Sequence, residues 1–339
     1  MQLPPFPTKG KGNQHDKRKD ADVLRFIIYR LIQLIPVLLV VSIVTFAFMH
    51  ALPGDVIDAL AGDAEANDPE RRAALEKQLG LDRPIYVQYL TWLGKILFHG
   101  DFGKSITTRR SIGVELFKRI PATVYLAVVA VIISLLIAVP LGTIAALKHR
   151  TLVDYTVTTA AVTGISIPNF WFAILCVLFF ALYWGWLPAS EYVSPFDNPW
   201  LGLQHLILPG AALGVRLAAI TTRLTRSSML DEIRKDYVDT ARSVGLPEWR
   251  VIFKYTLKNA LIPTVTIAGL QFGNLLGGTV VIETIFAWPG IGLTLYDAIM
   301  SRDYPMVQAG ILVLAAAFVL VNLLVDITYR LLNPRIRLA

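Results

Sequence analysis

The sequence predicts an all-α, polytopic membrane protein with six transmembrane helices and both termini on the cytoplasmic side. Three observations lead there. Of the 339 residues, 55% are hydrophobic and only 17% charged, against about 25% charged in an ordinary soluble domain. The apolar residues gather in blocks rather than recurring periodically, and a hydrocarbon core of about 30 Å takes about 20 helical residues to cross. The basic residues are distributed very unevenly among the connections between blocks.

Residues 1–22, rich in Pro, Gly, Lys and Asp, predict a disordered basic tail. The first transmembrane helix falls within 23–52, with its apolar run at 31–49. That run is too long for a signal peptide, and Met49-His50-Ala51-Leu52 offers no small-x-small cleavage site, so it is read as an uncleaved span. The 53–121 connection holds ten basic and ten acidic residues and is placed outside the cytoplasm by the six-span count. Within it, Asp68 can cap a helix with Pro69 in its first turn and Gly80 at its close. The aromatic, apolar stretch 85–98 suits a membrane interface or a docking surface.

Residues 122–330 predict a five-helix core, with blocks at 122–147, 157–183, 206–224, 262–286 and 308–328, and residues 331–339 a cytoplasmic tail. The block at 206–224 is marginal. Arg216 sits near its middle, where an arginine costs roughly 2.5–3.5 kcal/mol against about 0.3–0.6 returned by each Leu, Ile or Val. Charge asymmetry decides for a span. Seven basic residues precede the first block, Lys148 and Arg150 fill the short second connection, and eight lie between Arg223 and Lys258. The 184–205 connection has none and the 288–307 connection only Arg302. With six spans every basic connection falls on one side, and five spans could not achieve this. The isoelectric point of about 9.4 therefore reads as membrane topology rather than nucleic-acid binding.

The single cysteine, Cys176, excludes an intramolecular disulfide framework, a thiolate zinc cluster and a CxxC pair. Phe102-Gly103-Lys104-Ser105 is not a phosphate-binding loop, because Phe98 stands where that motif needs glycine. No catalytic or metal-ligating motif appears, so the chain is read as no enzyme and as binding no cofactor itself.

Polar and small residues at membrane depth are the candidates for a pathway or for helix packing. Gly269, Gly273 and Gly277 recur every fourth residue, which lets helices approach closely or slide. Gln271 and Asn274 share that block and would turn to the bundle interior or a cavity. Arg216 can face the pathway, pair with an internal acid or lie nearer the interface. Asn322 and Asp326, four apart in the last block, suit structural contacts.

The stretch 223–261 is too polar to span and too patterned for a linker. Gly245 can end a short helix near Val244, and Pro247 suits the first turn of the next, giving a compact helix-turn-helix that could dock another protein or meet lipid headgroups. In it, Asp239-Thr240-Ala241 followed by Gly245 resembles the EAA loop of ABC-importer membrane subunits. Asp239 stands for the Glu, Thr240 and Ala241 for the two Ala, and Leu257 matches downstream, while Tyr255 and Lys258 depart from the pattern.

A closer resemblance is to the B-type permeases of the dipeptide, oligopeptide and nickel importer subfamily. It rests on Leu52-Pro-Gly-Asp55, Leu79-Gly-Leu-Asp82 with Pro84, Gly100-Asp-Phe-Gly103 with Ser105, and Thr225-Arg-Ser-Ser-Met-Leu230. It continues through Asp236-Tyr237, Ala241-Arg242, Lys258-Asn-Ala-Leu-Ile-Pro263, Glu283-Thr-Ile-Phe286, Trp288-Pro-Gly290, Arg302-Asp-Tyr-Pro305 and Asn333-Pro-Arg335. The resemblance implies a type I ABC-importer permease fold in the prokaryotic inner membrane. It implies a homologous C-type permease, two ABC ATPases holding ATP and Mg, and an extracytoplasmic substrate-binding protein as partners. It also implies coupling to an ATPase through Asp239, Thr240, Ala241, Gly245 and Leu246. Peptides are the implied cargo, with nickel complexes or oligosaccharides as alternatives. A secondary transporter would need midplane carboxylates and paired repeats, and only Asp326 answers to that, toward one end.

Overall fold

The computed structural model describes residues 12–51 and 82–332. The helix expected from Asp68 to Gly80 and the stretches Leu52-Pro-Gly-Asp55 and Asn333-Pro-Arg335 fall outside them. Among the described residues there is no strand, and five helices are long and apolar enough to cross a membrane, or six spans if one bent pair counts as one.

Helix α1 (Gly12–Ala51) begins inside the segment for which disorder was expected, and its span is Ile28–Ala47. Helix α2 (Ile85–His99) has no buried residue and closes at Gly100, which takes the left-handed conformation. It leans on α1 through a hydroxyl bond between Ser42 and Tyr89 of 2.8 Å, with Phe46 edge-on to the Tyr89 ring.

Helix α3 (Ile112–Leu147) starts ten residues before the expected block at 122. Its first turns are covered rather than free: Ile112 and Leu116 are fully buried beside Ile291, Leu295 and Met306. The expected continuous span at 157–183 is instead broken. Helices α4 (Leu152–Ser166) and α5 (Asn169–Cys176), the latter continued by wide π turns over Val177–Tyr183, meet at 101°. Pro168 is the cause: its ring disfavours the helical conformation of the preceding residue, and Ile167 is extended at φ −73° and ψ 125°.

Helix α6 (Pro199–Ile233) is longer than the expected 206–224 at both ends. The Asn198 side chain accepts the Leu201 N–H at 3.1 Å and Pro199 opens the first turn, a start signal lying well before the apolar block. The α3–α6 pair forms the centre of the fold. A methyl group on Gly210 would meet Val129 at 2.7 Å, on Gly214 the Ala130 carbonyl at 2.8 Å, and on Gly142 the Thr222 carbonyl at 2.8 Å. Three glycines thus allow the closest backbone approach, which matters where lipid removes the hydrophobic drive for helix association. Around this pair Leu126, Ala130, Cys176, Leu206, Leu213, Leu276, Phe286 and Trp288 make the main core.

The polar connection forms α7 (Asp236–Ser243) and a short turn α8 (Glu248–Arg250), whose wide π turns over Val251–Thr256 lead into α9 (Leu257–Gly278). The expected block to 286 stops early, and α10 (Val280–Ile285) is a separate short helix. Helix α11 (Ile291–Met300) and the final span α12 (Tyr304–Leu332) complete the chain.

Candidate functional site

One end of the bundle carries the basic connections. There Asp154, buried in the first turn of α4, accepts Arg226 Nε at 2.5 Å and Nη2 at 2.7 Å, the Arg150 N–H at 3.0 Å and a His149 contact at 3.2 Å. A nearly buried carboxylate needs such satisfaction, and it ties the α3–α4 turn to the end of α6. Helix α7 projects just beyond. Val238 and Ala241 bury its inner face against Val251, with Tyr237 and Leu246 packed around them. The Tyr237 hydroxyl donates to Glu232 at 2.8 Å and accepts from Asn259 at 3.1 Å. Burial raises the Tyr237 pKa above the ordinary phenol value, so it serves as a neutral hydrogen-bonding post.

The outer face of α7 is open. Asp239, Thr240, Arg242 and Ser243 are exposed, and Arg242 reaches Glu248 at 2.8 Å across the turn and Asp239 at 3.5 Å. The Glu248 carboxylate raises the Arg242 pKa above its usual value, so the residue is a permanent cation. Gly245 adopts φ +82°, a left-handed conformation unfavourable to other residues, and Leu246 tucks back toward α7. Of the five residues assigned to coupling, Asp239 and Thr240 lie on the open face, Ala241 and Leu246 anchor the inner face, and Gly245 makes the turn. Exposed Val244, Trp249 and Phe253 rim the same turn. No sequence pattern singled them out, because apolar residues beside a membrane block look like its continuation.

At the opposite end, motif stretches distant in sequence meet. Glu283 is fully buried and accepts Thr279 Oγ1 at 2.7 Å, Thr123 Oγ1 at 3.1 Å and the Leu293 N–H at 2.7 Å, so it caps the first turn of α11. Trp288 is also fully buried and donates its indole N–H to the Ala122 carbonyl at 2.9 Å. Asp303 holds the 105–107 turn and the start of α12, receiving Ser105 Oγ, the Ile106 N–H and the Met306 N–H.

At membrane depth the candidates separate. Gly269 and Gly273 lie against α12: a methyl group there would meet Val325 at 2.5 Å and Phe318 at 3.3 Å, whereas at Gly277 nothing lies within 4 Å. Gln271 is buried and accepts the Thr221 hydroxyl at 3.2 Å, while Asn274 is exposed. Arg216 is exposed at the midpoint of α6, with no ion pair among the described residues. Asp326 is held by Arg30 at 3.1 Å, linking α12 to α1. Among the described residues no group of His, Cys, Asp or Glu could hold a metal ion.

The chain is similar to known transport proteins along most of its length. Residues 138–338 match the family described as binding-protein-dependent transport system inner membrane component, and residues 23–127 match the amino-terminal region described for the same membrane components. The dipeptide transport system permease protein of Alkalihalophilus pseudofirmus is 42% identical over 335 residues, covering 93% of this chain and 100% of that one. Its Escherichia coli K12 counterpart is 40% identical over 338 residues, covering 93% and 99%. The glutathione transport system permease protein of Salmonella typhi is 42% identical over 315 residues, again covering 93% and 99%.

Proposed function

The chain belongs to the family of binding-protein-dependent transport system inner membrane components, and on that premise we propose that it is the membrane-spanning permease subunit of an ATP-driven peptide importer. The observation that carries the reading is the 40–42% identity to dipeptide permeases, sustained over 93% of the chain. The glutathione relative keeps the cargo within peptide chemistry.

In this reading the subunit forms half of a translocation pathway with a homologous permease. Helix α7 seats in a groove of one of two ATPases, which hold ATP and Mg, and the opposite end meets a substrate-binding protein. Two features support it. Helix α7 is short, rigidly anchored from beneath and open above, so a shift of the ATPase would pass as a rigid-body movement into α6 and α9. The basic connections gather at the α7 end, which the positive-inside preference assigns to the cytoplasm.

Sidedness and docking are tested together. Reporter fusions after Ala339 and within 190–200 should report opposite compartments, and a cysteine introduced at Thr240 should cross-link to a co-expressed ATPase. The same compartment for both fusions would remove the topology, and cross-linking from 190–200 instead of Thr240 would reverse it.

A further inference from the structure

Arg216 is an exposed cation at the midpoint of α6, without an ion pair among the described residues, and its surroundings point to a ligand. Thr221 bonds Gln271 at 3.2 Å and Thr225 bonds Thr264 at 3.2 Å, so α6 and α9 run antiparallel in a fixed register. Continued toward the start of α6, that register puts Arg216 level with the stretch from Asn274 to Gly277. Each helical residue turns by about 100°. Ile220 precedes Thr221 by one and Leu270 precedes Gln271 by one, and in antiparallel helices equal backward turns from a mutual contact lead to the same side of the pair. Both residues are exposed. Arg216 and Arg223 continue that exposed face on α6, and Asn274 and Gly277 continue it on α9.

The composite face carries Arg216, Arg223 and Asn274 beside the apolar Ile220 and Leu270, so two cations and an amide stand where a membrane protein would show lipid an unbroken apolar surface. Exposure of an arginine to hydrocarbon is unfavourable at this depth even on the lenient scale, so the face abuts water or protein. A single partner acid could satisfy Arg216 alone. It would not account for a second arginine two turns along the same face, nor for the amide of Asn274 at the same level and the open space over Gly277. These features fit a wet lining that offers planar and amide donors to an anion in transit.

We propose that Arg216, with Asn274 level with it on α9, forms a carboxylate-recognising subsite in the translocation pathway, through which the free carboxylate of a peptide passes. The proposal rests on the importer reading above and adds a specificity-determining residue to it.

The test uses the complete complex with its ATPases and binding protein in proteoliposomes. Each variant is compared with the unaltered complex for a dipeptide and for its carboxamide, so that selection by the binding protein cancels in the ratio. Arg216→Ala should lower uptake of the free-carboxylate peptide about tenfold or more, the loss expected for a hydrogen bond to a charged group, and lower uptake of the carboxamide by a clearly smaller factor, as for a hydrogen bond to a neutral group. Arg216→Lys should recover part of the difference. A second measurement does not need amide transport. In a Cys176→Ser background, Arg216→Cys should react with a water-soluble cationic thiol reagent in the assembled complex, substrate should slow the reaction, and the restored charge should raise carboxylate-peptide uptake. Equal loss for both peptides, a loss of assembled complex in Arg216→Ala, or an unreactive thiol would each overturn the subsite. Absence of ATP-dependent uptake of either peptide by the unaltered complex would instead defeat the importer reading.

Discussion

Ser105 donates its hydroxyl to the carboxylate of Asp303, a residue 198 positions away that also caps the start of α12. The same carboxylate accepts the Ile106 N–H at 3.2 Å. One buried acid thus closes the turn before α3 and starts the last span.

Asp303→Asn should therefore loosen both elements together. It keeps the shape but weakens charge-assisted bonds, and the expected loss is about 1–3 kcal/mol, with Ser105→Ala costing about 1 kcal/mol. Thermal unfolding of the detergent-purified subunit checks this, and an Asp303→Asn protein as stable as the parent would contradict it.

Arg226 and Asp154 should behave as a coupled pair. Arg226→Ala leaves a buried carboxylate without its cation, a change of about 3–5 kcal/mol, and should sharply reduce folded protein. Adding Asp154→Asn to Arg226→Ala should restore part of the yield, because no buried charge remains unpaired. Additive losses in the double variant would show that the two do not interact.

The glycines of α9 should divide by position. Gly269→Leu drives a side chain into Val325 and should destabilise by about 1–3 kcal/mol, whereas Gly277→Leu faces open space and should leave subunit stability unchanged. Limited proteolysis with thermal unfolding separates the outcomes, and equal destabilisation would contradict the packing.

Helix α7 should be sensitive at its turn rather than its bulk. Gly245 has φ +82°, and a methyl group added there would meet nothing within 4 Å, so Gly245→Val introduces backbone strain and no clash. The strain is about 1–2 kcal/mol, enough to displace the turn while the spans still insert. ATP hydrolysis should lose its response to substrate at normal membrane yield, and normal coupling would remove α7 from its assigned role.

What the sequence made legible follows from which interactions are local. The α7 turn was readable because Gly245 and Pro247 act on their own backbone, and the helix ends at Ser243 as their positions require. Apolar length located the spans but not their integrity. Pro168 broke the third block by a local rule that a hydropathy reading passes over, and the fifth stops at Gly278 with a break at Thr279 inside the apolar run. The close α3–α6 contact was hidden for a different reason: Gly210 and Gly214 carry the same four-residue spacing as Gly269 and Gly273, but in a block that Arg216 makes only marginally apolar. Long-range partners such as Thr123 with Glu283 had no signal in one chain, since neither residue's neighbours change with the contact.

Uptake of a labelled dipeptide into proteoliposomes holding the subunit with its second permease, ATPases and binding protein shows whether this chain is the permease of an ATP-driven peptide importer. Accumulation should require ATP and the binding protein and persist when ion gradients are collapsed. Accumulation that ignores ATP and follows an ion gradient would contradict it.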